Sequence, residues 1–254
     1  NSESGTNSLS PSAPHTHTYV NGVCSVCGKA KPTSSEKFSE GLEYNLSSKS
    51  CTVTGIGSCK SSDIIIPSTY NDLPVTRIAN KAFYGESITS VTIPGSVSSI
   101  GTEAFYNCNS LTSVKFLGST TTIEKSAFNK CSALSSLNLP EGLRKIEDYA
   151  FAECTKLSSI TIPKSMREWG VGIFEDCTGL KSLTIAEGVT YIGLSAFSGC
   201  TGLKSVTIPK TITLIKGWAF DDCVGLTSLT IPEKVSSIGN SAFRGCTGLT
   251  SLTI

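Results

Sequence analysis

The chain has 254 residues, 39% of them hydrophobic and 16% charged, with 11 cysteines and a formal net charge of +1. That is apolar enough for a core and lightly charged for a globular surface, the missing charge being replaced by Ser and Thr. A balance near zero without a Lys/Arg run excludes a broad footprint for nucleic acid or anionic lipid, and no apolar run is long enough to insert in a membrane.

Residues 1–14, from Asn1 to Pro14, are polar and low in complexity. They read as a flexible leader behind a removed export signal. Residues 15–38 form a Cys/His knuckle segment and linker. His15 and His17, the only histidines in the chain, lie just before Cys24 and Cys27. A C-x-x-C-G knuckle turns two thiolates toward one point, and two imidazoles nearby complete a tetrahedral set. A structural zinc ion is thus the one cofactor suggested, and none is required. A local disulfide or an unordered leader accounts for the same residues, and a single knuckle is a weaker signal than a paired one. Metal analysis of the purified chain tests this: zinc far below stoichiometric removes the reading.

Residues 39–62 read as a β-hairpin N-cap. Gly41-Leu-Glu-Tyr-Asn-Leu46 and Cys51-Thr-Val-Thr54 alternate apolar and polar residues around Ser47-Ser-Lys-Ser50. A hairpin there covers an open apolar end. Cys51 and Cys59 stand beside it; a disulfide between them suits an oxidising exterior, and two free thiols fit equally.

From residue 63 to 254 the chain repeats itself. Cys108, Cys131, Cys154, Cys177, Cys200, Cys223 and Cys246 are 23 residues apart, as are Phe105, Phe128, Phe151, Phe174, Phe197, Phe220 and Phe243. Leu111 to Leu249 form a third column, and Pro94, Pro140, Pro163, Pro209 and Pro232 a fourth, with Leu117 and Ala186 in the remaining turns. In the unit from Leu203 to Gly225, Val206 and Ile208 alternate with Ser205 and Thr207, which reads as a half-buried strand. Pro209 ends it, having no donor. Gly217 to Cys223 fits one or two helical turns, with Phe220 and Cys223 sharing the inner face at i, i+3.

Such a unit buries its apolar face only by stacking on its neighbours. Eight strands, opening at Ile88 and ending at Ile254, predict a parallel sheet roughly 35–40 Å long. Ile64-Ile65-Ile66-Pro67 reads as an earlier, irregular turn. Leu249, Leu252 and Ile254 are left partly bare where the repeat stops, so a longer natural protein is expected. The regular cysteine column reads as inert core thiols, since no histidine lies in the repeats to act as base. Trp169 takes a column otherwise filled by Ile, and Ile173 one filled by Ala, which predicts a local swelling.

Two columns face away from the core. They supply the candidate partner-binding residues Ser136, Asn138, Ser159, Thr161, Ser182, Thr184, Ser205 and Thr207. Ser and Thr keep strand propensity while solubilising a face. The same residues also make a hydroxyl-rich surface suited to peptide or glycan, although one without aromatic or Arg anchors.

The unit Leu-x-x-Val/Leu-x-Ile-Pro-x-x-Val-x-x-Ile-Gly-x-x-Ala-Phe-x-x-Cys-x-x resembles the leucine-rich repeat of the BspA-like, or treponemal-type, family from about Ile64 to Ile254. The resemblance implies a right-handed solenoid of strands and short helices with a parallel sheet on one face. It implies export to the bacterial surface and roles in adhesion, and the family has no common catalytic site. The expected function is an exported cell-surface protein that binds a host or microbial protein or glycan through its repeats, as a monomer. The alternative is a structural spacer presenting another module of a longer protein. No enzyme is expected: nucleophile–base pairs, phosphate loops and recurring carboxylate pairs are all missing from the repeats.

Overall fold

A computed structural model describes residues 19–20, 23–24, 38–118 and 120–254. The described chain from residue 63 onward is a coil whose turns each have three walls, and it contains strands and turns but no helix.

The first wall holds one strand per turn. Ser90–Ile93 pairs in parallel with Ser113–Phe116, Ser90 opposite Ser113, and Ser159–Ile162 pairs with Ser182–Ile185, Ser159 opposite Ser182. The 23-residue spacing of the columns is therefore the register of the ladder. Asp63–Ile65 joins it, Asp63 opposite Ser90, so the irregular first turn is a full member. The single sheet expected from sequence is instead three pieces, broken after Ser136–Leu137 and after Ser205–Thr207. At the first break Asn138, a poor strand former, follows Leu137 where the other turns carry Thr or, once, Lys115, and the strand stops short.

The second wall was not foreseen. Two-residue strands Ser99–Ile100, Thr122–Ile123, Lys145–Ile146 and Glu168–Trp169 pair in parallel, and Tyr191–Ile192, Leu214–Ile215 and Ser237–Ile238 form a separate set. The break falls at Trp169, where the predicted swelling lies. Trp169 lies close against the next turn: a Cβ on Gly193 would stand 2.7 Å from the Trp169 Cβ and 3.2 Å from its ring, so only glycine fits there. At the N-terminal edge, Leu73–Ile78 pairs with Ser99–Ile100 on one side and with Cys51–Gly55 on the other. Cys51–Gly55 forms an antiparallel hairpin with Glu43–Leu46, which extends this wall.

The third wall corrects the expectation of short helices. Residues ahead of each Ala-Phe pair and two beyond each Phe have left-handed φ, for example Tyr149 (56°), Glu153 (58°), Trp218 (51°) and Asp222 (54°). The backbone therefore alternates hand, and its N–H groups divide. Those of Trp218, Phe220 and Asp222 donate to the carbonyls of Asn240, Ala242 and Arg244 in the next turn, while those of Asp221 and Cys223 donate three residues back to Trp218 and Phe220. Left-handed φ at a residue with a side chain costs about 1–2 kcal/mol. Three inter-turn hydrogen bonds per step and the burial of Phe and Cys offset it.

The core is the inside of this triangle. Phe83, Phe105, Phe128, Phe151, Phe174, Phe197 and Phe220 are fully buried and form one row of parallel rings, with centroids from 4.9 Å (Phe105–Phe128) to 5.6 Å (Phe174–Phe197). Beside it each column thiol donates to a carbonyl of the turn before: Cys131 Sγ to Phe105 O at 3.1 Å, Cys177 Sγ to Phe151 O at 3.2 Å. Cysteine is small enough for the corner and brings a weak second donor to a carbonyl such as that of Phe105, which also accepts the Cys108 N–H.

One polar tie spans three turns near the N-terminal end. Arg77 Nη1 and Nη2 donate to Glu124 Oε1 (2.6 Å) and Oε2 (3.0 Å), and the Ser99 hydroxyl and Thr102 N–H also meet that carboxylate. Burial pushes the Glu124 pKa up, but the hydrogen bonds and the Arg77 charge outweigh it and hold the carboxyl below its ordinary value of 4.5. A folded pKa below the unfolded one gives stability that is full above the unfolded value and lost as pH falls through the folded one. The stability gap between the parent chain and Glu124→Gln is thus expected to close on acidification below about pH 4, as read by urea melts; a gap independent of pH contradicts the tie.

Candidate interaction surface

Period-two alternation sends every second side chain of the first wall outward. In Ser159–Ile162 and Ser182–Ile185 the serines and threonines are exposed while the Ile and Leu side chains are buried. Ser136, Asn138, Ser205 and Thr207 are exposed too. The structure thus brings all eight candidate residues onto one face, although Asn138 lies just past the end of its strand.

These residues differ in what they bond from several hydroxyl columns on the flanks of the walls. On the flank of the same wall, Thr112 Oγ1 donates to Thr89 O at 2.9 Å and Thr250 Oγ1 to Thr227 O at 3.2 Å. Beside the second wall, Ser98, Thr121, Thr213 and Ser236 each bond the carbonyl one turn earlier. Those hydroxyls tie the coil together. Among the described residues, the side chains of Ser136, Ser159, Thr161, Ser182, Thr184, Ser205 and Thr207 make no hydrogen bond within the chain. Asp63 closes the face at its N-terminal end, where Thr89 and Ser90 hydroxyls donate to Oδ1 at 2.7 and 2.8 Å and hold the carboxyl below its usual range. The bonding difference is invisible in sequence, because both kinds of column read as Ser/Thr.

Elsewhere the chemistry is quiet. Burial raises the thiol of Cys108 to about 12, and those of Cys131, Cys154 and Cys200 well above the ordinary value. Cys51 and Cys59 are free thiols, Cys51 donating to Tyr70 O at 3.2 Å. Of the proposed zinc ligands, His15, His17 and Cys27 lie outside the described residues. Cys24 lies in a short strand, Val23–Cys24, that runs antiparallel to Tyr19–Val20. On the third wall Tyr84 and Tyr106 stack at 5.0 Å with Lys81 and Lys130 over them, a packed column. Tyr149 and Trp218 stand 36% and 42% exposed at left-handed positions. No described helix is long and apolar enough to cross a membrane.

A 23-residue pitch, one parallel strand per turn and a stacked Phe/Cys core define a leucine-rich-repeat solenoid. The family profile described as BspA type Leucine rich repeat region (6 copies) matches residues 76–200 and 170–254, and the chain belongs to that family. A leucine-rich repeat protein of T. pallidum has a similar structure: TM-score 0.67 and 29% identity, covering 84% of this chain and 90% of that one. One from Bacteroides ovatus gives TM-score 0.69 and 28% identity, covering 85% of this chain and 64% of that one. No curated protein matches the chain.

Proposed function

We propose that the chain is a non-catalytic, exported bacterial surface protein whose first wall binds a host or microbial protein or glycan. The observation that carries this reading is the row of exposed hydroxyls on one face that bond nothing in the chain, beside flanking hydroxyls such as those of Thr112 and Thr250 that are tied into the coil. Unengaged donors and acceptors at one-strand spacing offer an external chain a regular row of hydrogen bonds. The inert thiols support the absence of catalysis.

The test compares cell and matrix binding by the purified chain with that of a triple variant, Ser159→Arg, Thr184→Arg and Thr207→Arg, of unchanged melting behaviour. The expected result is binding by the parent that the variant loses by about tenfold or more. Equal binding by both moves the site to the third wall near Tyr149 and Trp218. Binding by neither supports the spacer role instead.

A further inference from the structure

The net charge of +1 conceals a segregation of charge. In the strand segments 111–118, 134–140, 157–163, 180–186, 203–209 and 226–232 there is no Asp or Glu, while Lys115, Lys181 and Lys204 lie within them and Lys156 immediately precedes one. All four lysines are exposed.

Several stacked charges elsewhere in this coil are compensated. Glu141, Lys164, Glu187, Lys210 and Glu233 fill one column in five successive turns, alternating in sign. Ion pairs between neighbouring turns join Lys81 to Glu103 (3.3 Å), Lys130 to Glu153 (3.8 Å) and Lys145 to Glu168 (3.6 Å). Lys181 and Lys204 are not compensated in this way; nor are Arg144 and Arg167 in another column, but only the lysines lie in the acid-free strand segments. They occupy one column in adjacent turns, their backbones joined by the Lys204 N–H to Lys181 O bond at 3.0 Å, and neither forms an ion pair among the described residues. Like charges placed side by side on a ladder repel. An anion from outside the chain would relieve that repulsion.

We propose that this part of the first wall binds a linear anionic polysaccharide, whose acidic groups meet Lys156, Lys181 and Lys204 while its hydroxyls meet Ser182, Thr184 and Ser205. The assignment rests on the reading of the first wall as the interaction surface and names the ligand's chemistry. Charge complementarity selects an anion. The unengaged hydroxyls between the lysines select a ligand that presents hydroxyls of its own. The strand segments from 134 to 232 contain no Phe, Tyr or Trp, so the face lacks the stacking platform a single-stranded nucleic acid uses and the aromatic anchors a folded protein uses.

The experiment titrates the full chain with a heparin oligosaccharide, whose acids are mainly sulfates, and with a hyaluronan oligosaccharide, whose acids are carboxylates. Neutral dextran, single-stranded DNA and phosphatidylserine vesicles serve as comparisons. Two variants share one charge change: Lys181→Gln/Lys204→Gln on the strand face and Lys164→Gln/Lys210→Gln in the alternating column. The expected result is binding of at least one acidic oligosaccharide but not of dextran, weakening with salt, with a loss of about tenfold or more in the first variant and about twofold or less in the second. Response to heparin alone or to hyaluronan alone identifies sulfate or carboxylate as the acid recognised. Binding of neither, an equal loss in both variants, or tighter binding of DNA or vesicles overturns the proposal. Matrix binding that the arginine triple variant loses but Lys181→Gln/Lys204→Gln keeps overturns the polysaccharide while leaving the interaction surface in place. Matrix binding kept both by the triple variant and by its uncharged counterpart Ser159→Leu, Thr184→Leu and Thr207→Leu, which adds no attraction for an anion, removes both.

Discussion

Phe151→Ala is expected to destabilise the chain by about 3–5 kcal/mol, measured by urea unfolding. Phe151 is fully buried between Phe128 and Phe174, at 5.2 Å from each ring. Its carbonyl accepts the Cys177 thiol, and its N–H donates to Ile173. Parallel walls on both sides limit how far the turns can close over the void, which places the loss toward the cavity-dominated end. Each turn touches only its neighbours, so a gap in the middle also uncouples the halves, and the transition should broaden as well as shift. Phe243→Ala, in the last turn where the ring is already partly exposed, should cost less. A loss below about 1 kcal/mol at Phe151 contradicts a ring row that organises the core.

A comparably large effect is expected in thiol chemistry. With its thiol at about 12, Cys108 is about one part in ten thousand thiolate at pH 8, against roughly a quarter for an ordinary cysteine. Burial acts in the same direction on Cys131, Cys154 and Cys200 and also blocks the reagent. Iodoacetamide labelling followed by peptide mapping should find these four modified at least about a thousandfold more slowly than half-exposed Cys59, and the difference should vanish in denaturant. Labelling of Cys154 at the Cys59 rate in the native chain contradicts the proposed core.

The strand wall was legible because its signal is long. Alternation of Val206 and Ile208 with Ser205 and Thr207, repeated at a fixed step, fixes both facing and register. The second wall was hidden because its strands are two residues long, and Ser99–Ile100 is too short to show a period. The helical expectation failed for a physical reason. Phe220 and Cys223 share a face in a helix, but they do so equally in a turn that bonds three residues back. A better signal lay in the column two beyond each Phe, where Gly85, Asn107, Asp176, Gly199, Asp222 and Gly245 stand, with Lys130 and Glu153 in the other two turns. Gly mixed with Asn and Asp is the composition of a left-handed position. Of the interaction surface, the columns of Ser and Thr could be read directly. Which columns were already engaged depended on side-chain reach to the neighbouring turn, which sequence does not carry.

The third wall also has an electrical consequence. In each turn three peptide units, such as those joining Thr102 to Glu103, Ala104 to Phe105 and Tyr106 to Asn107, accept from the turn before and donate to the turn after. Their dipoles, about 3.5 D each, therefore add head to tail along the coil axis, as they do in an α-helix. The wall is the equivalent of one helix laid lengthwise, with carbonyl oxygens gathered toward residue 80 and N–H groups toward residue 245. The solenoid has a negative and a positive pole fixed by its backbone alone, independent of side-chain charge and of pH. A charged surface nearby would favour one end-on orientation of the whole domain over the other.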